Sequence, residues 1–401
     1  MRRWRRTVGL ILAGLLAAEP ASAASGRVAN AEWTHPGFGP GNNYYNPNES
    51  RLNAGTITQL KPRWTVTTPA TPDYCTLVSE PLASGGRLFT TDPTGISSYA
   101  PRTGEKLWHW TFPVLNPGRA NREKFGELTV SGALVMALTN PCESGAGQFA
   151  YLTAIDAATG VQKWRVTMDQ DTNIMVVDKG VAAVGNWGGF ADNPQSATGY
   201  RVSDGAKLWR ITGYSLNAGV SAGGRLLLGH AGDNATRAVS ITTGETLWST
   251  AKAWSPRAAS PAGDRFLVST DSTGISAVDA ATGAEQWSTR HGGGLAYDGR
   301  RIYVSYHRIL ETYDAATGRK LRITSLASHG GQPVRAGGLL YVPVGGHPMV
   351  VLNPNTGRTV ASFPEIRYVS PAPVIVNGWL YLGDGETLHG YALARPSAPR
   401  W

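Results

Sequence analysis

From Pro81 to Trp110 apolar and polar residues alternate in four short runs: Pro81–Ala83, Arg87–Thr91, Gly95–Ala100 and Lys106–Trp110. Gly85-Gly86, Asp92–Thr94 and Arg102–Gly104 separate them. A period of two with β-branched and aromatic residues is the signature of half-buried strands, and the Gly-containing breaks are turns. Helical periodicity is absent after the first two dozen residues. The chain is read as all-β.

The last turn of this unit recurs along the chain. YAPRTGEKLW at Tyr99–Trp108 is followed by AIDAATGVQKW at Ala154–Trp164, RVSDGAKLW at Arg201–Trp209 and VSITTGETLW at Val239–Trp248. AVDAATGAEQW at Ala277–Trp287, YDAATGRKLR at Tyr313–Arg322 and LNPNTGRTVA at Leu352–Ala361 complete the series. The shared glycines stand at 104, 160, 205, 244, 283, 318 and 357. A period of roughly 40 residues with four strands per repeat predicts a β-propeller of four-stranded antiparallel blades.

The chain ends supply one more blade. Lys61–Val66 reads as an outermost strand without partners, whereas Pro373–Val376, Trp379–Leu382 and Leu388–Leu393 read as three strands without a fourth. Together they give an eighth blade closed by the N-terminal strand, which leaves no bare sheet edge. A tryptophan four residues after the glycine, at Trp108, Trp164, Trp209, Trp248 and Trp287, with Trp64 as the equivalent on the closing strand, is read as a packing ring between blades. Arg322 and Ala361 replace it in the sixth and seventh repeats, where weaker blade contacts are expected.

The first 23 residues read as a signal peptide: Arg2, Arg3, Arg5 and Arg6, an apolar stretch from Val8 to Ala18, then Ala21-Ser22-Ala23 before the cut. Secretion or another extracytoplasmic location is expected. Residues 24–60 form an N-terminal arm with turn signals at Asn42-Asn43 and Asn46-Pro47, residues 61–395 the propeller and 396–401 a tail. The formal charge of +9 falls to +6 once the leader's four arginines and Glu19 are removed. The basic residues do not cluster among aromatics, so nucleic-acid binding is not expected, and no apolar run is long enough to span a membrane. Charged residues make up 16% of the chain, too few for a disordered one.

There are two cysteines. Cys75 lies in the connection into the first blade and Cys142 in the long middle hairpin of the second, Pro141–Gln148. Both connections open on one face of neighbouring blades, so a disulfide is expected in an oxidising compartment. It would contribute about 3–4 kcal/mol.

Aligning the repeats on the first hairpin glycine (86, 132, 180, 224, 263, 299, 338 and 378) brings Glu80, Gly126, Ile174, Ala218, Arg257, Gly293, Gln332 and Ala372 into register at the start of the innermost strands, beside the propeller axis. Glu127, Asn173 and Asn217 lie one step away, with His291 and His329 just before. These axial residues are the candidates for a site, and they are also what lines a water-filled polar funnel. His307, His347 and His389 show no metal-ligand spacing and are read as surface.

The repeat A-x-D-x-x-T-G-x-x-x-W, intact at Ala154–Trp164 and Ala277–Trp287, resembles that of the pyrroloquinoline-quinone (PQQ) enzyme-like propellers. Trp33, Gly39, the NNYYNP stretch from Asn42 to Pro47, Ile57, Leu60 and Trp64 resemble the opening segment of PQQ-dependent alcohol dehydrogenases. The resemblance implies the fold over nearly all the mature chain. It leaves function open, since the family holds both quinoproteins and a cofactor-free assembly lipoprotein. In its quinoproteins PQQ lies over the axis between a Trp and a disulfide of adjacent cysteines, Ca²⁺ is held by a Glu and an Asn, and an Asp is the base. Glu80 or Glu127, Asn173 or Asn217, and Arg257 occur in that chain order. The adjacent cysteine pair is missing, and no Asp stands between Asn217 and Arg257 in register. The expectation is a secreted, monomeric, non-catalytic binding module without cofactor or metal, its ligand a protein, polysaccharide or small molecule at the loop face. The alternatives are a divergent PQQ- and Ca²⁺-dependent alcohol or sugar dehydrogenase, and a lyase or hydrolase using paired acids such as Glu80 and Glu127.

Overall fold

The computed structural model describes residues 32–68, 78–116, 121–141, 150–168, 172–185, 195–230, 232, 234–269, 274–367 and 372–394. The expected signal peptide, both cysteines of the expected disulfide and the C-terminal tail lie outside the described residues.

The chain is an eight-bladed β-propeller. The first blade consists of Leu82–Ser84, Arg87–Asp92, Gly95–Tyr99 and Lys106–Thr111, paired antiparallel in chain order. The next six blades repeat this plan. In the second, the hairpin of Val114–Asn116 with Asn121–Ser131 carries the innermost strand beyond those of the other blades. The eighth blade is composite: Val374–Val376, Trp379–Asp384 and Thr387–Leu393 are completed by Leu60–Thr67, antiparallel to Thr387–Leu393. Among the described residues the only helical element is the 3₁₀ turn Ile57–Gln59.

Buried apolar clusters sit between successive sheets. Met136, Leu152, Met175 and Val184 pack the second blade on the third, and Leu267, Ile302, Val304 and Tyr313 pack the fifth on the sixth. This division follows from the strand pattern, because each sheet is apolar on both faces and needs a neighbour on each side.

The repeat motif joins the blades. In the second blade, Asp156 Oδ1 accepts the N–H groups of Ala158 and Thr159 and the Thr159 hydroxyl, tying the turn that ends at Gly160. Gly160 has φ of +75°, and a Cβ there would come within 2.8 Å of the Trp108 ring of the preceding blade. Trp108 Nε1 donates to Ala157 O at 3.1 Å. The same bond runs from Trp64 to Pro101, Trp164 to Val202, Trp209 to Ile241, Trp248 to Ala280 and Trp287 to Ala315. Each tryptophan therefore docks on the next blade's turn.

Arg322 makes an equivalent contact in place of a ring. Its stem covers Gly357 and its guanidinium donates to Pro354 O and Asn355 O. Ala361 faces the eighth blade, whose outermost strand comes from the N-terminal segment and which therefore has no third hairpin to cap. The strand Thr359–Phe363 packs instead on the Ile57–Gln59 turn.

Candidate functional site

Innermost strands flank the axis with main-chain groups that no further strand satisfies. The arm supplies their partners and visits the blades in order. Trp33 exchanges two main-chain bonds with Ala83 of the first blade, and Thr34 O accepts Val130 N of the second. His35 Nε2 donates to Val177 O of the third at 2.7 Å, while Thr34 Oγ1 donates to His35 Nδ1. Pro40, Gly41 and Asn43 accept from Ser221, Ala259 and Tyr297 of the fourth, fifth and sixth. Tyr45-Asn46 pairs in parallel with Arg335-Ala336 of the seventh, and Asn46 Nδ2 donates to Ile375 O of the eighth. Residues 33–46 thus bond to all eight blades near their first hairpins. Gly37, Phe38, Asn42 and Tyr44 take positive φ to make the bends.

Toward the other end of the axis, the arm holds Glu80. Its Oε1 accepts Trp33 Nε1 and Gly37 N, each at 2.9 Å, and its Oε2 accepts the Tyr44 hydroxyl at 3.4 Å. Enclosure by protein pushes the Glu80 carboxyl up to about 7 despite these donors. Glu127 Oε2 accepts Met175 N across to the third blade, and desolvation pushes its carboxyl up to about 8. Its Oε1 lies beside Gly219, where a Cβ would sit 3.1 Å from it. Burial, then the nearby Glu80 and Glu127, raise the Tyr44 hydroxyl well above its ordinary value, and Arg257 opposes them.

Glu80, Glu127, Asn173 and Asn217 line one cavity of about 350 Å³, with Pro36 of the arm and Gly126, Ile174, Ala218 and Gly219. Asn217 folds over Gly229, where any Cβ would collide with its amide, and its Oδ1 accepts the Ser215 hydroxyl. A second cavity of about 150 Å³ contains Tyr44, Asn42, His35 and Met175 and shares Pro36, Glu127 and Gly219 with the first. Glu127 stands between the two.

Register with the axis did not guarantee a place in this cavity, which draws its lining from the first four blades and the arm. Arg257 is exposed and donates to Gly293 O, and its carbonyl accepts Asn42 Nδ2. Gln332 donates to Leu295 O and Pro333 O. His291 bonds to Glu311, and His329 faces His307. Ala372 is buried. Sequence reasoning placed Trp33 and Tyr44 in a family-like opening segment but not at the site, and it missed Pro36; all three come from the arm. The signal available was the Gly- and Asn-rich segment between them, whose residues tolerate the left-handed bends an axial path requires.

The family profile described as outer membrane protein assembly factor BamB matches residues 53–226 and 232–384. The chain belongs to this family. No curated protein matches the chain significantly. Among solved structures, this BamB-family propeller is similar to a quinohemoprotein alcohol dehydrogenase, ADHIIG, from Pseudomonas putida HK5, at 14% identity and a TM-score of 0.69, covering 92% of this chain and 82% of that one. A europium-containing methanol dehydrogenase aligns at 13% identity and a TM-score of 0.65, over 90% and 98% of the two chains. BamB from Moraxella catarrhalis aligns at 14% identity and a TM-score of 0.57, over 84% and 99%. At these identities the likeness is one of fold.

Proposed function

We propose that the protein is an exported, non-catalytic binding module whose axial cavity takes a neutral ligand rich in hydroxyl or amide groups. The observation that carries this reading is the placement of two carboxyls with raised pKa beside two asparagines in one partly enclosed cavity. At neutral pH Glu127, at about 8, is mostly protonated and can both donate and accept, as Asn173 and Asn217 can. Such a lining suits sugar hydroxyls or peptide amides.

The same donor set fits PQQ poorly. The quinone carries three carboxylates, and it would meet two acids, while Arg257, whose charge acts on Tyr44, is itself exposed. Both oxygens of Glu80 already hold the arm. Ca²⁺ takes six to eight oxygens, and the cavity offers those of Glu127, Asn173 and Asn217. Among the described residues no three His, Cys, Asp or Glu side chains gather as metal ligands.

A second reading is favoured by Glu127 alone: a carboxyl near 8 with one oxygen beside Gly219 is suited to general acid chemistry in a lyase or hydrolase. Glu80 would be a poor partner base, because its carboxylate is held by three donors.

The test is a panel of neutral oligosaccharides and short blocked peptides, screened against the mature protein by saturation-transfer NMR and assayed for cleavage. Binding without turnover, lost in Glu127→Ala and Asn217→Ala, is the expected result. Turnover that Glu127→Ala abolishes would establish the acid-catalysis reading instead. Preference for anionic ligands would contradict both.

A further inference from the structure

Away from the axial cavity, on the approach to the sixth blade, its Tyr306–Ile309 hairpin and the connection to the seventh blade, four rings stand in a row. His291 stacks on Tyr306 at 4.4 Å, Tyr306 meets His307 edge-on at 4.3 Å, and His307 meets His329 at 5.5 Å. His307 Nδ1 and His329 Nε2 face each other 3.5 Å apart, and both histidines are exposed. We propose that His307 and His329 form a binding site for a tetrahedral transition-metal ion, Zn²⁺ being the one whose geometry fits.

The spacing is the first argument. Two Zn–N bonds of about 2.0–2.1 Å at the tetrahedral angle hold their nitrogens roughly 3.3–3.4 Å apart. A square-planar ion would need its neighbouring nitrogens at about 2.9 Å, so the pair is set for a tetrahedral centre. Between two neutral imidazoles one facing nitrogen carries the shared proton. Metal binding moves it to the other nitrogen of the same ring, a tautomer change with no net loss of a proton.

The framework is the second argument. The pair spans two blades, yet it does not depend on flexible chain. His307 sits at the tip of the Tyr306–Ile309 hairpin with φ of +48°, unusual for a residue other than glycine. Its carbonyl accepts Gly330 N, so the residue after His329 is tied to His307 by main chain. A Cβ on Gly330 would lie 2.1 Å from Ser305 Oγ and 2.7 Å from Leu326. Only glycine lets this connection press against the sixth blade. On the other side, His329 O accepts Gly345 N of the seventh blade. The backbones that carry both imidazoles are therefore fixed by main-chain bonds, which lowers the ordering cost of binding a metal.

The surrounding charges narrow the choice of ion. Arg308 is the hairpin neighbour of His307 and donates to Ala327 O. Among the described residues no Asp or Glu joins the pair as a ligand, which disfavours Ca²⁺ and Mg²⁺, since they need oxygen ligands, whereas imidazole nitrogen suits Zn²⁺. The fully buried Glu311 is already committed to His291, Tyr313 and Lys320. The two remaining positions on the ion would be taken by water and open to solvent.

The test uses untagged mature protein. Isothermal titration with ZnCl₂ is expected to show one saturable site, weakened about tenfold or more in His307→Gln and in His329→Gln and unchanged in His389→Gln. Co²⁺ serves as the optical probe, and the protein should develop the intense visible bands of a tetrahedral complex that both variants lose. Because both side chains are exposed, the variants should melt at the parent temperature, so a loss of binding reports on the ligands themselves. Absence of saturable Zn²⁺ binding, or binding retained in both variants, or only the weak bands of octahedral Co²⁺, would overturn the proposal.

Discussion

Trp64 Nε1 donates to Pro101 O at 3.1 Å, so the strand that closes the eighth blade also docks on the first. One side chain thereby carries the series of tryptophan contacts across the point where the ring closes. Trp64→Ala is expected to destabilise the protein by about 2–4 kcal/mol. Removing residues 24–67 takes away both this strand and the axial arm. Calorimetry of the truncated chain should show no cooperative transition at the full-length temperature, and retention of that transition would refute the composite blade as a stabilising device.

Arg322 and Ala361 separate two ways of lacking a tryptophan. Arg322 still caps a turn, so Arg322→Ala should cost about 1–2 kcal/mol in denaturant unfolding through lost packing and hydrogen bonds. Ala361 has no turn to cap, so Ala361→Trp should give no stabilisation. A clear gain from Ala361→Trp would show that the missing hairpin is not what relaxes that position.

Glu80 ties the arm through Trp33, Gly37 and Tyr44. Glu80→Ala is expected to loosen residues 33–46, raising amide hydrogen exchange there by about tenfold while the outer strands stay protected. Tyr44→Phe, which removes the longest of the three bonds, should have a smaller effect. Unchanged exchange in Glu80→Ala would mean that the main-chain bonds to the blades suffice.

A half-buried acid and a buried histidine give stability opposite dependences on pH. Glu127 is raised from 4.5 to about 8 in the folded state, so its contribution is fully present below pH 4.5 and is lost as pH rises through 8. His35 is lowered from 6.5 to about 4, chiefly by burial, so its contribution is present above pH 6.5 and lost as pH falls through 4. That His35 contribution is on the order of 3 kcal/mol. Denaturant midpoints across pH should therefore decline less steeply between 4.5 and 8 in Glu127→Gln. They should fall less between 6.5 and 4 in His35→Gln, which keeps a donor for Val177 O. Parallel profiles for variant and parent would contradict these assignments.

Strand pattern and repeat made the blades legible in the sequence, including the composite one, because period-two alternation and the T-G turn are local signals. The expected Lys61–Val66 strand differs from the observed Leu60–Thr67 by one residue at each end. The tryptophan docking was also legible, since ring and glycine keep a fixed spacing. The path of the arm was not. Its grip on the blades runs largely through main-chain carbonyls of Thr34, Pro40, Gly41 and Asn43, which leave no trace in side-chain identity. The His307–His329 pair was hidden for another reason: one residue belongs to a hairpin tip and the other to the next blade's approach. The axial register identified Glu80, Glu127, Asn173 and Asn217 but could not tell which side of the ring the cavity occupies.

Adding PQQ and Ca²⁺ to the purified protein, then following dye reduction with short alcohols and aldose sugars, tests the reading of the axial cavity most directly. The expected result is no saturable activity and no retention of PQQ on dialysis, because the acids Glu80 and Glu127 disfavour a tricarboxylate and Glu80, bound to the arm, is not free to hold its ion. Saturable dye reduction that disappears on Glu127→Ala or Asn217→Ala would contradict the account and make the cavity a quinone site.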